Sequence, residues 1–174
     1  IASCLAAGYR AVYVTPLRAL AEEKWRAWRD RFSEPVGIFT GDYLADGTNR
    51  FPVSYQEARL MIMTPERLDA VLRHWRSHWH WIPDVDLVVI DEFHLVGDPW
   101  RGPRLEGSIT RLRRINPFAR ILGLSATMSN VEQLADWLDG VYYSSTWRQV
   151  PLNLRVVRYR SANEKLPKLI TEVR

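Results

Sequence analysis

Short apolar runs alternate along the chain with longer segments in which apolar residues recur at helical spacing. The apolar runs cover residues 11–15, 36–40, 58–64, 86–91 and 120–127. Helical spacing is found at 16–32, 65–75, 103–115 and 130–139. Continuous apolar strands joined by helices are typical of a parallel sheet that helices cover on both faces. The pattern therefore predicts an α/β, doubly wound fold.

Two of these helices follow their strands directly through a threonine and a proline. Thr15-Pro16 and Thr64-Pro65 each offer a side-chain oxygen for the N-cap and a proline for the first helical position. We therefore expect both threonine hydroxyls to cap helices.

The main domain is predicted to extend over residues 1–150. Ser129, with Glu132 three residues later, fits a capping box for the last helix. Residues 151–174 are interpreted as an exit strand and a linker toward a further domain. The opening residues up to Gly8 are typical of the last turns of a helix, so we expect the chain to begin within the fold.

The composition is that of one globular domain. With 174 residues, 47% apolar and 25% charged, the chain can bury roughly 70% of its unfolded surface, so disorder is a poor default. The net charge is +4, and Lys24, Lys165 and Lys168 are the only lysines. Arginine's planar fork suits phosphate and favours a nucleic-acid partner, although a solvated arginine-rich surface explains the same bias.

A single cysteine, Cys4, excludes an intrachain disulfide, and there is no CxxC pair typical of zinc sites. No apolar run approaches the ~20 residues that a membrane span needs. We therefore expect a soluble protein in an intracellular, cytoplasmic compartment, associated with the nucleoid if the source is prokaryotic, and no membrane partner.

Two adjacent carboxylates, Asp91 and Glu92, follow the apolar run Leu87–Ile90. Open α/β sheets bind ligands at the carboxyl ends of their strands. One hypothesis gives Asp91 a contact with the magnesium of a bound nucleotide, and gives Glu92 the task of orienting or deprotonating an attacking water. The alternative is that the pair ends the strand and caps the next helix.

A metal nuclease built from Asp84, Asp86 and Asp91 is disfavoured. Asp86 and Asp91 are five residues apart, which is roughly 16 Å along an extended strand at ~3.3 Å per residue. They cannot share one metal ion. His94 lies three residues after Asp91 and either couples this site to neighbouring loops or is an ordinary structural histidine.

Several short segments, taken in order, resemble the motifs of superfamily 2 helicases. They are Thr15-Pro16-Leu17-Arg18-Ala19-Leu20-Ala21 (motif Ia), Thr40-Gly41-Asp42 (motif Ib), Thr64-Pro65-Glu66-Arg67 (the element after it), Asp91-Glu92-Phe93-His94 (the DExH box, motif II) and Ser125-Ala126-Thr127 (motif III). Arg101-Gly102, Leu105-Glu106, Trp147-Arg148 and Val150-Pro151-Leu152 resemble elements of the Ski2-like branch. The chain thus resembles the archaeal Ski2-like DNA helicases.

The resemblance implies a first RecA-like lobe, of the P-loop NTPase type, that binds ATP and Mg²⁺ and contacts single-stranded nucleic acid, with DNA favoured over RNA. Asp91 would contact the magnesium, and Glu92 and His94 would complete the catalytic group. Ser125, Ala126 and Thr127 would couple the nucleotide to the nucleic-acid grip. The second RecA-like lobe would be the partner in the full-length chain.

Motifs Ia and Ib and the Thr64 element would contact the nucleic acid. The residues concerned are Thr15, Pro16, Arg18, Thr40, Gly41, Thr64 and Arg67. Free N–H groups at a helix N-terminus suit phosphate, and several such termini along one sheet edge would hold successive phosphates without reading sequence. Arg18 and Arg67, each in a first helical turn, would add charge-assisted contacts.

Three features depart from the family pattern. No glycine precedes a lysine, so G-x-x-x-x-G-K-[ST] is absent, and the family would place it just before Ile1. Phe93 stands where a smaller aliphatic residue is usual, and no second lobe is present. We therefore expect this chain by itself to show no appreciable ATPase or unwinding activity. A non-catalytic nucleic-acid-binding or scaffolding module, and a nuclease or translocase subunit with the same lobe, stay open as alternatives.

Residues 74–81, HWRSHWHW, interleave basic and aromatic side chains. His74, His78 and His80 suggest a metal site, but neither cysteine nor carboxylate joins them at ligand spacing, so packing at a helix end is favoured. Contact with nucleic acid is the second interpretation. In helix 103–115 we expect Leu105, Ile109 and Leu112 to face the core, and Arg111, Arg113 and Arg114 to face solvent.

Overall fold

A computed structural model describes residues 1–41, 56–126, 128–145 and 147. The chain divides into two compact units, residues 1–129 and residues 130–174. The predicted boundary near residue 150 stays a prediction, because it lies outside the described residues. Within the described ranges, no helix combines the length and the apolar character that crossing a bilayer requires.

The described part of the first unit contains five parallel strands, and each lies within one of the apolar runs of the sequence. They are β1 (Ala11–Val14), β2 (Val36–Phe39), β3 (Leu60–Met63), β4 (Leu87–Ile90) and β5 (Arg120–Gly123). Their order in the sheet is β2-β3-β1-β4-β5. The helices of this unit are α1 (Ala2–Ala6), α2 (Arg18–Arg29), α3 (Pro65–Arg73) and α4 (Gly102–Ile115). The predicted α/β fold with a parallel sheet is confirmed.

The sheet is doubly wound because its crossovers leave in opposite directions. From β1 the chain passes through α2 to the edge strand β2, whereas from β3 and β4 it passes through α3 and α4 toward β5. Parallel crossovers are right-handed. Moving in opposite directions across the sheet therefore places α2 on one face and α3 with α4 on the other.

The face under α1 and α2 holds one continuous apolar cluster. Leu5 and Ala21 from the helices pack with Tyr13, Ile38 and Val89 from alternate strand positions. These side chains are at most 4% exposed. Because strand side chains alternate between faces, the intervening residues supply the second face.

The second face is buried under α3 and α4, which contact each other. Leu105, Ile109 and Leu112 are buried as predicted. Asp69 of α3 accepts hydrogen bonds from Arg73 Nε and Arg111 Nη1, each at 2.9 Å. Burial raises the pKa of Asp69, but the bonds and charges of the two arginines outweigh it and leave the pKa below its usual value.

Arg111 was therefore predicted wrongly as a purely solvated residue. It ties α4 to α3 through Asp69, because residue 111 lies at the flank of the buried stripe rather than opposite it. Arg113 and Arg114 are exposed, as expected for the outer face.

One predicted helix cap is wrong, and the other is right in position only. α2 begins at Arg18, and its N-cap is Leu17, which is extended. Since a residue before proline disfavours the helical region, Thr15 continues the strand and its hydroxyl caps nothing. Thr64 does occupy the N-cap of α3, yet only its carbonyl is used, accepting the N–H groups of Arg67 and Leu68 at 3.0 Å.

The second unit contains α5 (Val131–Leu138). Its N-cap is Asn130, with no side-chain cap bond, so the predicted capping box at Ser129 is also wrong. Residues 141–145 form no strand, although their sequence is apolar and aromatic. The helix ends at Leu138, and its C-cap, Asp139, adopts the left-handed conformation that usually favours glycine.

Candidate functional site

The register of the sheet brings five sequence motifs to one edge. Val14 pairs with Met63 and with Ile90, Met63 pairs with Phe39, and Ile90 pairs with Gly123. The next residue of each strand therefore lies along a single line, which we call the carboxyl edge. In sheet order these residues are Thr40, Thr64, Thr15, Asp91 and Leu124.

Asp91 lies at the switch point of the sheet. β1 and β4 are neighbours, and the chain leaves them toward opposite faces, so a crevice opens between their carboxyl ends. The backbone N–H of Asp91 donates to the Val14 carbonyl at 2.8 Å and continues the ladder. The carboxylate is thus fixed at the position where such folds bind their ligands.

Both oxygens of Asp91 accept a hydrogen bond. Oδ1 accepts the N–H of Glu92 at 3.0 Å, and Oδ2 accepts the hydroxyl of Tyr13 at 2.5 Å. Burial, followed by the bond to Asp91, raises the pKa of Tyr13. The Tyr13 ring meets Trp28 edge to face, with centroids 4.8 Å apart. Tyr13 therefore holds the orientation of the Asp91 carboxylate.

Tyr13 is the residue that the sequence interpretation missed. The available signal was a tyrosine inside an apolar strand, because a buried phenol needs a hydrogen-bond partner. Which partner it finds depends on β1 lying beside β4, and the strand order is not visible in a local pattern.

Glu92 adopts the left-handed conformation, with φ 53° and ψ 46°. For a residue with a Cβ, this backbone conformation costs of order 1–3 kcal/mol. It persists only where the surrounding structure imposes it. The turn directs the carboxylate out of the strand, where 46% of the side chain is exposed. The strained backbone thus presents Glu92 to solvent directly beside Asp91, whose two oxygens both accept hydrogen bonds.

His94 lies between the DExH box after β4 and motif III after β5, which were expected to be coupled. It belongs to a short 3₁₀ helix, Phe93–Gly97. Its Nδ1 lies 3.3 Å from Glu92 Oε2 and 3.4 Å from Ser125 Oγ. A carboxylate after β4, an imidazole and a hydroxyl after β5 therefore form one line of contacts, and Glu92 and Ser125 face the same region.

The Phe93 side chain fits within the DExH box because it packs against Gly123 of β5. The ring is buried against Gly123, where an added Cβ would come within 2.8 Å of the ring's Cγ. The N–H of Phe93 also donates to the Leu124 carbonyl at 2.8 Å. Phe93 can be larger than the usual residue because Gly123 of the neighbouring strand has no side chain. Phe93 also joins the ends of β4 and β5.

The threonines of the proposed nucleic-acid contacts are buried. Thr15 and Thr40 are 0% exposed, and Thr64 is 4% exposed. The hydroxyls of Thr15 and Thr40 find no hydrogen-bond partner within the described ranges. This burial argues against direct contact of these hydroxyls with a strand, because they face the interior. Pro16 is buried as well.

Two arginines converge on Gly41 at the same edge. Arg67 Nη2 donates to the Gly41 carbonyl at 3.1 Å, and its guanidinium lies 5.1 Å from the centre of the Phe39 ring. A Cβ on Gly41 would come within 2.5 Å of Arg18 Nη2. The starts of α2 and α3 therefore bring two cations together, and a side chain at position 41 would require the Arg18 guanidinium to shift.

Part of the predicted site cannot be placed. Asp42, Thr127 and residues 148–152 lie outside the described residues. Trp147 is described and is 78% exposed. Ala126 is exposed beside Ser125. The roles predicted for these residues stay predictions.

The histidines of residues 74–81 do not form a metal centre in the structure. No group of three or more His, Cys, Asp or Glu side chains suited to a metal ion occurs among the described residues. Trp79 packs on Phe39 with ring centroids 5.0 Å apart, and Trp81 is 6% exposed. These tryptophans pack, as the favoured interpretation held. Asp86 accepts the N–H of Arg10 at the opposite edge from Asp91.

Comparison with known proteins gives matches over most of the chain. The model of the DEAD/DEAH box helicase family matches residues 1–134. ATP-dependent DNA helicase Hel308 of Pyrococcus abyssi is 44% identical over 83% of this chain and 19% of that protein. Hel308 of Methanocella arvoryzae is 37% identical over 94% of this chain and 22% of that protein.

A likeness to a solved structure supports the fold. The DUF1998 helicase MrfA has a TM-score of 0.61 and 22% identity, covering 79% of this chain and 23% of that chain. This chain thus spans about a fifth of the length of the relatives named here.

Proposed function

Because the chain belongs to the DEAD/DEAH box helicase family, we propose that it carries the DExH box and the single-strand contacts of an ATP-dependent nucleic-acid helicase, as its first RecA-like lobe. The predicted resemblance to Ski2-like DNA helicases is confirmed by the relatives at 37–44% identity. The proposal depends on one observation. The adjacent carboxylates Asp91 and Glu92, and the two arginines near Gly41, lie along the same carboxyl edge of the sheet.

Asp91 fits the role of a magnesium contact in the Mg·ATP substrate. Each of its oxygens accepts one hydrogen bond and retains a second lone pair. Mg²⁺ in nucleotide sites is held by one or two carboxylates, phosphates and water rather than by an all-protein cage. The lack of a larger carboxylate cluster among the described residues agrees with that mode. The ion would neutralise phosphate charge, while Tyr13 keeps the carboxylate oriented.

Glu92 is suited to accept a proton from an attacking water. Its carboxylate is exposed and lies next to the proposed Mg·ATP site. It takes no part in the hydrogen bonds that the Asp91 carboxylate accepts. His94, in contact with both Glu92 and Ser125, would transmit a change at Glu92 to the end of β5. This link supports the coupling role proposed for motif III.

The arginine pair is suited to the phosphates of a single strand. Arg18 is the first residue of α2 and Arg67 lies in the first turn of α3, and the N-termini of both helices lie at the carboxyl edge. Their guanidinium groups meet at Gly41, so their charges act together on one stretch of backbone. DNA is the favoured polymer, since the relatives named above are DNA helicases.

The test is strand displacement by the full-length parent protein on matched DNA and RNA duplexes with single-stranded tails. We expect ATP-dependent displacement, with DNA preferred. Glu92→Gln should lower ATP turnover by about 10²-fold or more, because a positioned base contributes that much. Asp91→Asn should lower ATP turnover as well, because it weakens a contact to the magnesium that neutralises charge on the transferring phosphoryl group. Asp84→Asn, at the opposite edge, should leave turnover unchanged.

Full magnesium-dependent turnover by Asp91→Asn would contradict the role of that carboxylate. Strand binding by the parent without any hydrolysis would favour the non-catalytic binding module instead. Displacement of RNA but not DNA would reverse the proposed substrate preference.

A further inference from the structure

Trp100 is displayed on the surface of the first unit. Its side chain is 90% exposed, although an indole has more apolar surface to bury than almost any other side chain. It lies in the loop between the 3₁₀ helix and α4, close to the start of α4. The role proposed above for the DExH box does not use it.

The loop holds Trp100 in a defined position. Asp98 Oδ1 accepts the N–H groups of Trp100 and Arg101 at 2.9 and 2.7 Å. The N–H of Gly102 donates to the Asp98 carbonyl at 2.8 Å. A Cβ on Gly102 would lie 2.2 Å from the Val96 carbonyl oxygen, so this close turn requires glycine. The indole is therefore presented by a preorganised loop, which lowers the entropy cost of using it.

Trp100 borders a shallow cleft that reaches the start of α3. Pro65 and Leu95 supply apolar walls, and Arg101 and Arg104 supply positive charge. The cleft has a volume of about 90 Å³, well below the roughly 300 Å³ of a pocket that encloses a small molecule. A ligand here must lie flat on the surface rather than enter it.

The charges around the cleft favour an anionic ligand with a flat ring. Arg101 and Arg104 are both exposed, and one carboxylate, Glu66, lies 4.0 Å from Arg101. Pro65 begins the helix that also carries Arg67, so the cleft continues the proposed line of phosphate contacts. An indole beside two guanidinium groups matches the base and phosphate of one nucleotide.

We propose that Trp100 is a stacking platform for a base of the bound single strand, and that Arg101 and Arg104 contact the phosphates that flank this base. The inference rests on the proposed function and adds a base contact to its phosphate contacts. Stacking on an aromatic face is tolerant of sequence, because every base has such a face.

Fluorescence anisotropy of a labelled oligodeoxynucleotide with the full-length parent protein tests the inference. Trp100→Ala should raise Kd about tenfold, in line with the loss of one stacked base, whereas Trp100→Phe should retain most of the affinity. Phe118→Ala is the matched control, because Phe118 is 92% exposed but precedes β5 at the opposite edge of the sheet. It should bind like wild type.

Abasic substitution separates stacking from a general change in the loop. An abasic nucleotide at one position of the strand should weaken wild-type binding and have no added effect on Trp100→Ala. The slope of log Kd against log salt should be the same for Trp100→Ala and wild type, since stacking neutralises no phosphate.

The inference and the proposed function fail differently. Wild-type affinity in Trp100→Ala, or equal losses in Trp100→Ala and Phe118→Ala, overturns the stacking platform while strand binding by the parent stands. Loss of a protein partner in Trp100→Ala, with strand affinity intact, also overturns it. Absence of any strand binding by the wild-type parent overturns both.

Discussion

At the scale of single residues, the candidate site depends on contacts that hold two adjacent acids in different environments. Asp91 is hydrogen-bonded on both oxygens, once to Tyr13 and once to the next backbone N–H. Glu92 is turned outward by its left-handed backbone and meets His94. One carboxylate is thereby held in place and the other left accessible, as the roles proposed for them in magnesium contact and proton transfer require.

Tyr13→Phe tests the first of these contacts. The pKa of Tyr13 is raised in the folded protein, so the unfolded phenol releases its proton first as the pH rises above 10. Folding stability from this group is complete below pH 10 and is lost as the pH increases toward the folded pKa. Tyr13→Phe should cost about 1 kcal/mol at pH 7 and lose less stability than wild type between pH 10 and 11. Urea unfolding at both pH values measures the difference.

Tyr9→Phe is the control, because Tyr9 is 54% exposed. It should keep the alkaline loss of wild type. Parallel losses in wild type and Tyr13→Phe would show that Tyr13 does not contribute to the alkaline transition.

At the scale of elements, the ends of β4 and β5 are joined by complementary volumes. The Phe93 ring fills the space that a side chain at Gly123 would occupy, and the backbone bond from Phe93 to Leu124 holds the two segments together. Densely packed contacts of this kind tolerate little added volume. A displacement of the DExH box, residues 91–94, would therefore also move the segment that contains Ser125.

Gly123→Ala should destabilise the fold by about 1–3 kcal/mol through overpacking against the ring. Phe93→Leu should relieve the clash, so the double substitution should cost less than the sum of the single ones. Gly107→Ala is the matched control: Gly107 lies within α4, where an added Cβ meets nothing within 4 Å. It should stabilise by roughly 0.5–1 kcal/mol. Urea unfolding of wild type, the two single variants and the double variant gives the cycle, and strict additivity would contradict the proposed packing.

At the scale of the whole molecule, the two edges of the sheet differ in chemistry. The carboxyl edge gathers the acid pair, the Gly41 arginines and the Trp100 cleft. The arginines of the last turn of α4 lie toward the opposite edge. Arginines thus lie at both edges, and we expect only the carboxyl edge to meet a strand.

Salt dependence of strand binding distinguishes the edges. In the full-length parent, Arg18→Ala and Arg67→Ala should each reduce the slope of log Kd against log salt by about 0.7, the value for one lost phosphate contact with a single strand. Arg114→Ala should leave the slope unchanged. Equal slope changes at both edges would indicate non-specific attraction instead.

Much of the fold and part of the site were predictable from the sequence. Apolar runs encode the strands, of which β1, β2, β3 and most of β4 are buried, and the inward stripe at Leu105, Ile109 and Leu112 encodes the buried side of α4. The apolar run Leu87–Ile90 predicted that Asp91 would follow a strand, and it does. These features are local, so the residues themselves carry them.

The remaining features depend on which strands become neighbours. Local patterns contain neither strand order nor register, and the Tyr13–Asp91 bond and the Phe93–Gly123 contact require both. The same holds for Thr15, which local rules assign to a helix cap and the sheet buries instead. The sequence by itself therefore determined the elements and the family, and the tertiary structure decided which side chains touch, because those distances follow from the packing of segments remote in the chain.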